Sequence, residues 1–164
     1  MNTIRLFQEI WEFNRTRTLA TLDAVAALPN PQQVLGWRPG PGRAHIAWQL
    51  THVGITEELF ATERLKSTPA AWPDLVPRFK GGSSPDDNIP ELARIREILT
   101  VSREHLIATM DTYSETDLPT IPEWFKERGW TLRRILEVIN WHEGHHQGQA
   151  HITLNLYKAA HAST

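Results

Sequence analysis

The chain contains no cysteine among its 164 residues, and this absence limits the chemistry open to it. A disulfide framework, a thiolate metal site and a cysteine nucleophile are all excluded. If the protein binds a metal ion through side chains, histidine and carboxylate groups have to supply the ligands.

Long apolar runs and clusters of one charge are also missing. No stretch approaches the roughly 18 apolar residues that predict a transmembrane helix. The 17 Lys and Arg residues nearly balance 19 Asp and Glu residues, and they are scattered along the chain. A basic surface for nucleic acid is therefore not indicated. The N-terminal residues mix charged and apolar side chains and show no targeting signal, so we expect a cytoplasmic protein without membrane or nucleic-acid partners.

Hydrophobic periodicity predicts an all-α protein. Apolar residues recur at three- and four-residue spacing in four segments, residues 3–28, 44–65, 90–113 and 131–158. Segments rich in proline and glycine separate these helices, and no segment alternates in the manner of a strand. The simplest architecture is a four-helix bundle with long irregular connections, forming one domain over residues 1–164.

Histidine is concentrated in the middle of the last predicted helix, with three of the eight histidines at positions 142, 145 and 146. His142 and His146 are four residues apart, so both imidazoles lie on one helix face and can bind one ion. His52 lies in the middle of the apolar stripe of the second helix and supplies a third ligand. The alternative is a hydrogen-bonded cluster without metal, but three uncoordinated imidazoles would leave buried ring nitrogens without partners.

The segment from His142 to His146 also matches the HExxH pattern of zinc proteases. Those enzymes take a further ligand downstream and hold a peptide against a strand, whereas no Asp, Glu or strand pattern follows His146. We therefore reject the protease interpretation. Glu143 has three open interpretations, as a residue that orients a ligand, a base at the rim of the site or a solvated carboxylate. His145, on the flank of the stripe, is predicted to line the pocket or replace a ligand.

Two motifs carry a resemblance to a known family. Ala47-Trp-Gln-Leu-Thr-His52 and Asn140-Trp-His-Glu-Gly-His-His-Gln-Gly-Gln149 resemble the DinB/YfiT-like superfamily of metalloenzymes. In such proteins the histidine that ends the first motif and two histidines of the second hold the metal, which implies His52, His142 and His146 here. Gln147 stands where such proteins frequently have Arg. The resemblance implies a four-helix bundle, often a homodimer, with a zinc, nickel or similar divalent ion.

The chemistry of such a site leads to three functional hypotheses. Neutral imidazoles leave the charge of the ion uncompensated, so its open position favours water, hydroxide or thiolate. Relatives with assigned activities resemble thiol S-transferases that use bacillithiol or mycothiol, and a mycothiol-dependent maleylpyruvate isomerase. The leading hypothesis is transfer of a low-molecular-weight thiol cosubstrate to a small-molecule electrophile. The alternatives are a metal-dependent hydrolase, with Glu143 or His145 handling protons, and a non-catalytic bundle that binds a metal or small ligand.

Overall fold

The structure is a computed structural model that describes residues 2–162. Its α-helices, in chain order, are α1 (Thr3–Ala26), α2 (Pro31–Gly36), α3 (Ile46–Leu59), α4 (Val76–Phe79), α5 (Leu92–Met110) and α6 (Leu132–Ala160). A π-helix covers Phe60–Arg64, and two 3-10 helices cover Glu115–Asp117 and Glu123–Arg128. No strand occurs in the described residues, and the prediction of an all-α fold is confirmed. The single domain over residues 1–164 stays a prediction, and Met1, Ser163 and Thr164 lie outside the described residues.

The four long helices α1, α3, α5 and α6 correspond to the four predicted ones, with ends that differ by at most three residues except at the C-terminal end of α3. There the predicted helix to residue 65 also includes the π-helix Phe60–Arg64. Side chains that accept hydrogen bonds from free backbone N–H groups fix the starts of three of them, α1, α3 and α6. Asn2 caps α1, and Thr131, the predicted cap of the last helix, accepts from the amide of Arg134. His45 caps α3 by accepting a hydrogen bond at its Nδ1 atom, although it lies inside the predicted helix over residues 44–65. None of the helices in residues 2–162 is long and apolar enough to cross a membrane.

Two of the connections are more regular than the sequence predicts. The segments with many prolines were expected to be irregular throughout, and that expectation is wrong for α2 and α4. Both helices carry a proline in their first turn, where the missing N–H group costs no internal hydrogen bond. Each also buries an apolar side chain in the core, such as Leu35 and Phe79. Burial of these side chains stabilises helices too short to persist alone.

Helix α3 is the centre of the bundle. All of its residues are buried, because it packs against α5 on one side and α6 on another. Helix α1 completes the bundle by packing along α6. A helix covered on all sides can bury polar side chains only where they find partners. The polar residues of α3 are therefore candidates for function.

Close packing between α3 and α5 depends on Gly54. A Cβ atom at this position would lie 2.7 Å from the Cγ2 atom of Ile98 and 3.3 Å from the Ile98 carbonyl group. Ile98 is fully buried, so its side chain has no free space to move into. The glycine therefore sets how closely the two helix backbones approach.

We expect Gly54→Ala to destabilise the protein by about 1–3 kcal/mol, because the added methyl group forces α3 and α5 apart. The matched control is Gly148→Ala on α6, where an added Cβ meets no atom within 4 Å. Alanine there is expected to stabilise by about 0.5–1 kcal/mol through its higher helix propensity. Urea unfolding of both variants measures the difference. Equal effects would contradict the packing argument.

The π-helix Phe60–Arg64 continues directly from α3. A π-helix has wider turns than an α-helix, so side chains after residue 59 point in directions that an α-helix would not give. Such segments are frequent at functional sites. The predicted second helix thus consists of two helical types, and the second one borders the cavity described below.

Candidate metal centre

The structure brings the three predicted histidines together. His52 comes from α3, and His142 and His146 come from successive turns of α6. Each offers one ring nitrogen, and these three nitrogens all lie within 4.8 Å of one another. The Nε2 atoms of His52 and His142 are 3.0 Å apart. Among residues 2–162 this is the one group of histidines and acids with such geometry.

Hydrogen bonds to the outer ring nitrogens orient two of these imidazoles. Nδ1 of His52 lies 2.6 Å from the carbonyl oxygen of Phe79, and Nδ1 of His146 lies 2.6 Å from Oε1 of Gln49. Each acceptor is an oxygen, so each Nδ1 carries the proton and donates it. The Nε2 atom then keeps its lone pair for a metal ion, as in many histidine metal sites.

Burial keeps the triad neutral. Removal from water lowers the pKa of His142 to about 2, with further lowering by neighbouring His52 and His146. Burial, together with repulsion from neighbouring histidines, lowers the pKa of His146 to about 3. Burial also lowers the pKa of His52. Trp48 covers His52 as a stacked ring, with centroids 4.5 Å apart. The histidines are therefore in the protonation state that binds metals at neutral pH.

These residues fit a divalent metal ion. Two nitrogens bound to one tetrahedral zinc ion are about 3.3 Å apart, given Zn–N bonds of about 2.0–2.1 Å. The 3.0 Å between His52 and His142 differs from this by a few tenths of an ångström. Side-chain rotation would bring all three nitrogens, which lie within 4.8 Å of one another, to the separations that one ion requires. The three-histidine group can thus hold a metal ion with a position left for another ligand.

A cavity of about 500 Å³ lies beside this group. His52 and His142 line it, whereas His146 lies on the far side against Gln49. Its walls include the aromatic rings of Phe60, Trp124 and Trp130 and the cationic side chains of Arg64, Lys80 and Arg128. A small molecule in this cavity reaches two of the three ligand histidines.

Of the three interpretations of Glu143, the solvated surface carboxylate is wrong, and a position at the rim does not agree with the structure. Its side chain is only 1 % exposed, although the residue directly follows His142. One carboxylate oxygen accepts hydrogen bonds from Arg15 and Thr18 at 2.8 Å each, and the other accepts from Arg103. Both oxygens are therefore engaged away from the imidazoles. A proton-handling role for Glu143 stays a prediction that this position does not favour.

Glu143 belongs to a buried ionic network that contains one residue from each long helix. Arg15 of α1 and Arg103 of α5 each contact both Glu57 of α3 and Glu143 of α6. Two positive and two negative charges balance, so their burial is tolerated. Burial opposes ionisation of Glu57, but the two arginines hold its pKa below the usual value. We call these four residues the buried ionic network.

His145 occupies the exposed face of α6. Its ring stacks on Trp141 with centroids 4.8 Å apart, and its Nε2 atom bonds to the side chain of Gln149. Its centroid lies 5.0 Å from that of His146. His145 is thus next to the triad but outside it, and its side chain does not line the cavity.

Several residues of the site were missed by sequence reasoning. Arg15 and Thr18 lie in the polar middle of the first helix, and that interruption of an apolar stripe was the available signal. Nothing local distinguishes Arg103 or Glu57 from surface charges, because their pairing joins distant segments. The cavity residues Arg64 and Arg128 likewise come from a π-helix and a 3-10 helix that periodicity does not predict.

Comparisons with known proteins agree with this architecture. No curated protein matches the chain. Among solved structures, a conserved protein from Enterococcus faecalis is similar, with a TM-score of 0.73 and 18 % sequence identity. The match covers 95 % of this chain and 97 % of that one, and at this identity it shows the fold alone. The family model of the DinB superfamily, a metal-binding family, matches residues 10–150. The chain belongs to the DinB superfamily.

Proposed function

We propose that the protein is a metal-dependent enzyme that transfers a low-molecular-weight thiol to a small electrophile. The observation that carries this proposal is the convergence of three neutral imidazoles beside a cavity of about 500 Å³. His52, His142 and His146 would hold a divalent ion, with zinc or nickel as the candidates. The ion supplies a Lewis acid that lowers the pKa of a thiol or water at its open position.

The charge of the site favours an anionic reactant. All three proposed ligands are neutral, and the carboxylate of Glu143, the residue that follows His142, is already paired with Arg15 and Arg103. Arg64 adds positive charge on the cavity side and lowers the pKa values of His52 and His142. A thiolate in this place therefore compensates charge that the protein leaves unbalanced.

The proposed step is a substitution at carbon. The thiol loses its proton to solvent, its sulfur forms a bond to the electrophilic carbon, and the leaving group departs with its electron pair. The aromatic walls of the cavity, including Trp124 and Trp130, exclude water from the electrophile and reduce hydrolysis. The proton-handling role predicted for His145, whose ring is exposed next to His146 but does not line the cavity, belongs to the hydrolase alternative. Glu143 is assigned instead to positioning α6.

Turnover of 1-chloro-2,4-dinitrobenzene tests the proposal, with cysteine, bacillithiol and mycothiol supplied in turn. We expect zinc- or nickel-loaded protein to release chloride and form the thioether only when thiol is present. Metal-free protein and His52→Ala are expected to lose at least about 100-fold in kcat/KM, because loss of a ligand exceeds the 10–100-fold effect of outer residues. The control His151→Ala removes an exposed histidine of α6 and should retain activity.

Other outcomes separate the alternatives. Metal-dependent release of 4-nitrophenol from 4-nitrophenyl acetate without added thiol would replace the transferase by a hydrolase. Metal binding with neither activity would leave a binding protein and contradict the proposal.

A further inference from the structure

Two arginines of the cavity flank a single tryptophan. The guanidinium carbon of Arg64 lies 4.9 Å from the ring centroid of Trp124, and that of Arg128 lies 5.5 Å from the same ring. Arg64 also packs over Phe60 at 4.5 Å, and Arg128 over Trp130 at 5.2 Å. Aromatic rings therefore hold both cations against one wall of the cavity.

Neither guanidinium forms a salt bridge in the part of the chain that the structure describes. Throughout residues 2–162, no carboxylate forms a salt bridge with Arg64 or Arg128. The buried arginines Arg15 and Arg103, in contrast, each form salt bridges with carboxylates. Two further arginines of the described residues lie over aromatic rings, Arg78 and Arg94, and both pair with a carboxylate, whereas Arg64 and Arg128 pack over rings without one.

This arrangement holds like charges together at an electrostatic cost. Burial and the neighbouring Arg128 lower the pKa of Arg64 to about 10. Lys80 adds a third cation to the cavity wall, and Glu63 is the one acid among its lining residues. An anion in the cavity would relieve the repulsion between these groups.

The planar shape of the two guanidinium groups determines which anions they bind best. Each guanidinium carbon lies over two aromatic rings. The N–H groups of a guanidinium point outward in its own plane, so its edge is the part that a ligand can use. Such edges bind a planar carboxylate through two parallel hydrogen bonds. The aromatic wall between them, formed by Trp124, accepts the apolar part of the same molecule.

We infer that Arg64 and Arg128 form a subsite for the carboxylate of a small aromatic or apolar molecule. The substrate acted on at the histidine centre therefore carries a carboxylate. This second statement rests on the proposed function, whereas carboxylate binding itself is testable without metal or turnover. The same cavity contains His52 and His142, so a molecule anchored at the arginines presents its other end to the ligand histidines.

Calorimetric titration with benzoate and with its neutral analogue benzamide tests the subsite, using the full chain in metal-free and zinc-loaded forms. We expect benzoate to bind at least about tenfold more tightly than benzamide in both forms, because charge-assisted hydrogen bonds are lost with the neutral ligand. Arg64→Met and Arg128→Met, which keep an unbranched apolar stem over the rings, should each weaken benzoate binding by about tenfold. Circular dichroism verifies that both variants are folded.

The matched control is Arg94→Met, which removes an arginine that lies over Trp72 at 5.8 Å outside the cavity. It should leave benzoate binding unchanged. Equal affinities for benzoate and benzamide, or benzoate binding that neither cavity substitution weakens, would overturn the inference. Benzoate binding retained in His142→Ala supports the subsite even if metal-dependent turnover fails, so the two proposals fail separately.

Discussion

Glu143→Gln is expected to destabilise the protein by about 3–5 kcal/mol, because it leaves two buried arginines with a single carboxylate. Glutamine matches the shape of glutamate, so the loss comes from uncompensated charge at Arg15 and Arg103. A domain of this size has about 5–15 kcal/mol of total stability, so the effect is a large share of it. Urea unfolding at neutral pH measures the change.

The control for this substitution is Glu137→Gln on the same helix. Glu137 pairs with Arg134 on the surface, and both side chains are substantially exposed. Its removal is expected to change stability by less than about 1 kcal/mol. The folded Glu143→Gln protein should keep its metal stoichiometry. If stability is unchanged while turnover disappears, Glu143 acts in proton transfer as first predicted, and its assignment to positioning is wrong.

Removal of the metal is expected to produce the second large effect. Protein purified without a histidine tag should contain close to one divalent ion per chain by elemental analysis. A thousandfold excess of free zinc over its dissociation constant stabilises the folded state by about 4 kcal/mol, since the unfolded chain lacks the preformed site. His142→Ala should abolish both the bound ion and the zinc-dependent rise in unfolding temperature.

His151→Ala provides the comparison for this experiment, because it removes a histidine from the exposed face of the same helix. It should retain both the metal and the stabilisation. A similar metal content in wild type and His142→Ala would show that the ion binds elsewhere. Absence of metal from the wild type, even after reconstitution with zinc and nickel, would leave only a bundle with buried histidines.

The sequence predicted the long helices and the histidine cluster for the same physical reason. Both depend on residues three or four apart, which share one face of a helix whatever the rest of the fold does. His142 and His146 needed only that rule. His52 lies 90 positions earlier than His142 and required the further assumption that its stripe faces the core. The structure places it there because α3 is buried on all sides.

Features that depend on contacts between distant segments were not predictable in this way. Glu143 points about a quarter turn away from His142 around the helix axis. This angle alone does not reveal whether solvent or another helix covers the Glu143 side chain. Its burial depends on Arg15, 128 residues away, and on Arg103. The cavity arginines were missed for a related reason. Arg64 lies within the second predicted helix, but apolar spacing does not show that the helix becomes π-helical there. Arg128 lies in a 3-10 helix outside the four periodic segments.

The distribution of charge in the buried ionic network has a mechanical consequence. Its two acids, Glu57 and Glu143, lie on the helices that bear the histidines, and its two bases lie on α1 and α5. A helix packed only by apolar contacts can rotate about its own axis at a modest cost in free energy. Rotation of α3 or α6 would instead break the salt bridges between its glutamate and the two arginines. The rotational setting of both helices is thereby fixed by contacts other than those of the imidazoles themselves. The buried ionic network therefore orients the two helices, while the histidines on them are the residues proposed to hold the metal ion.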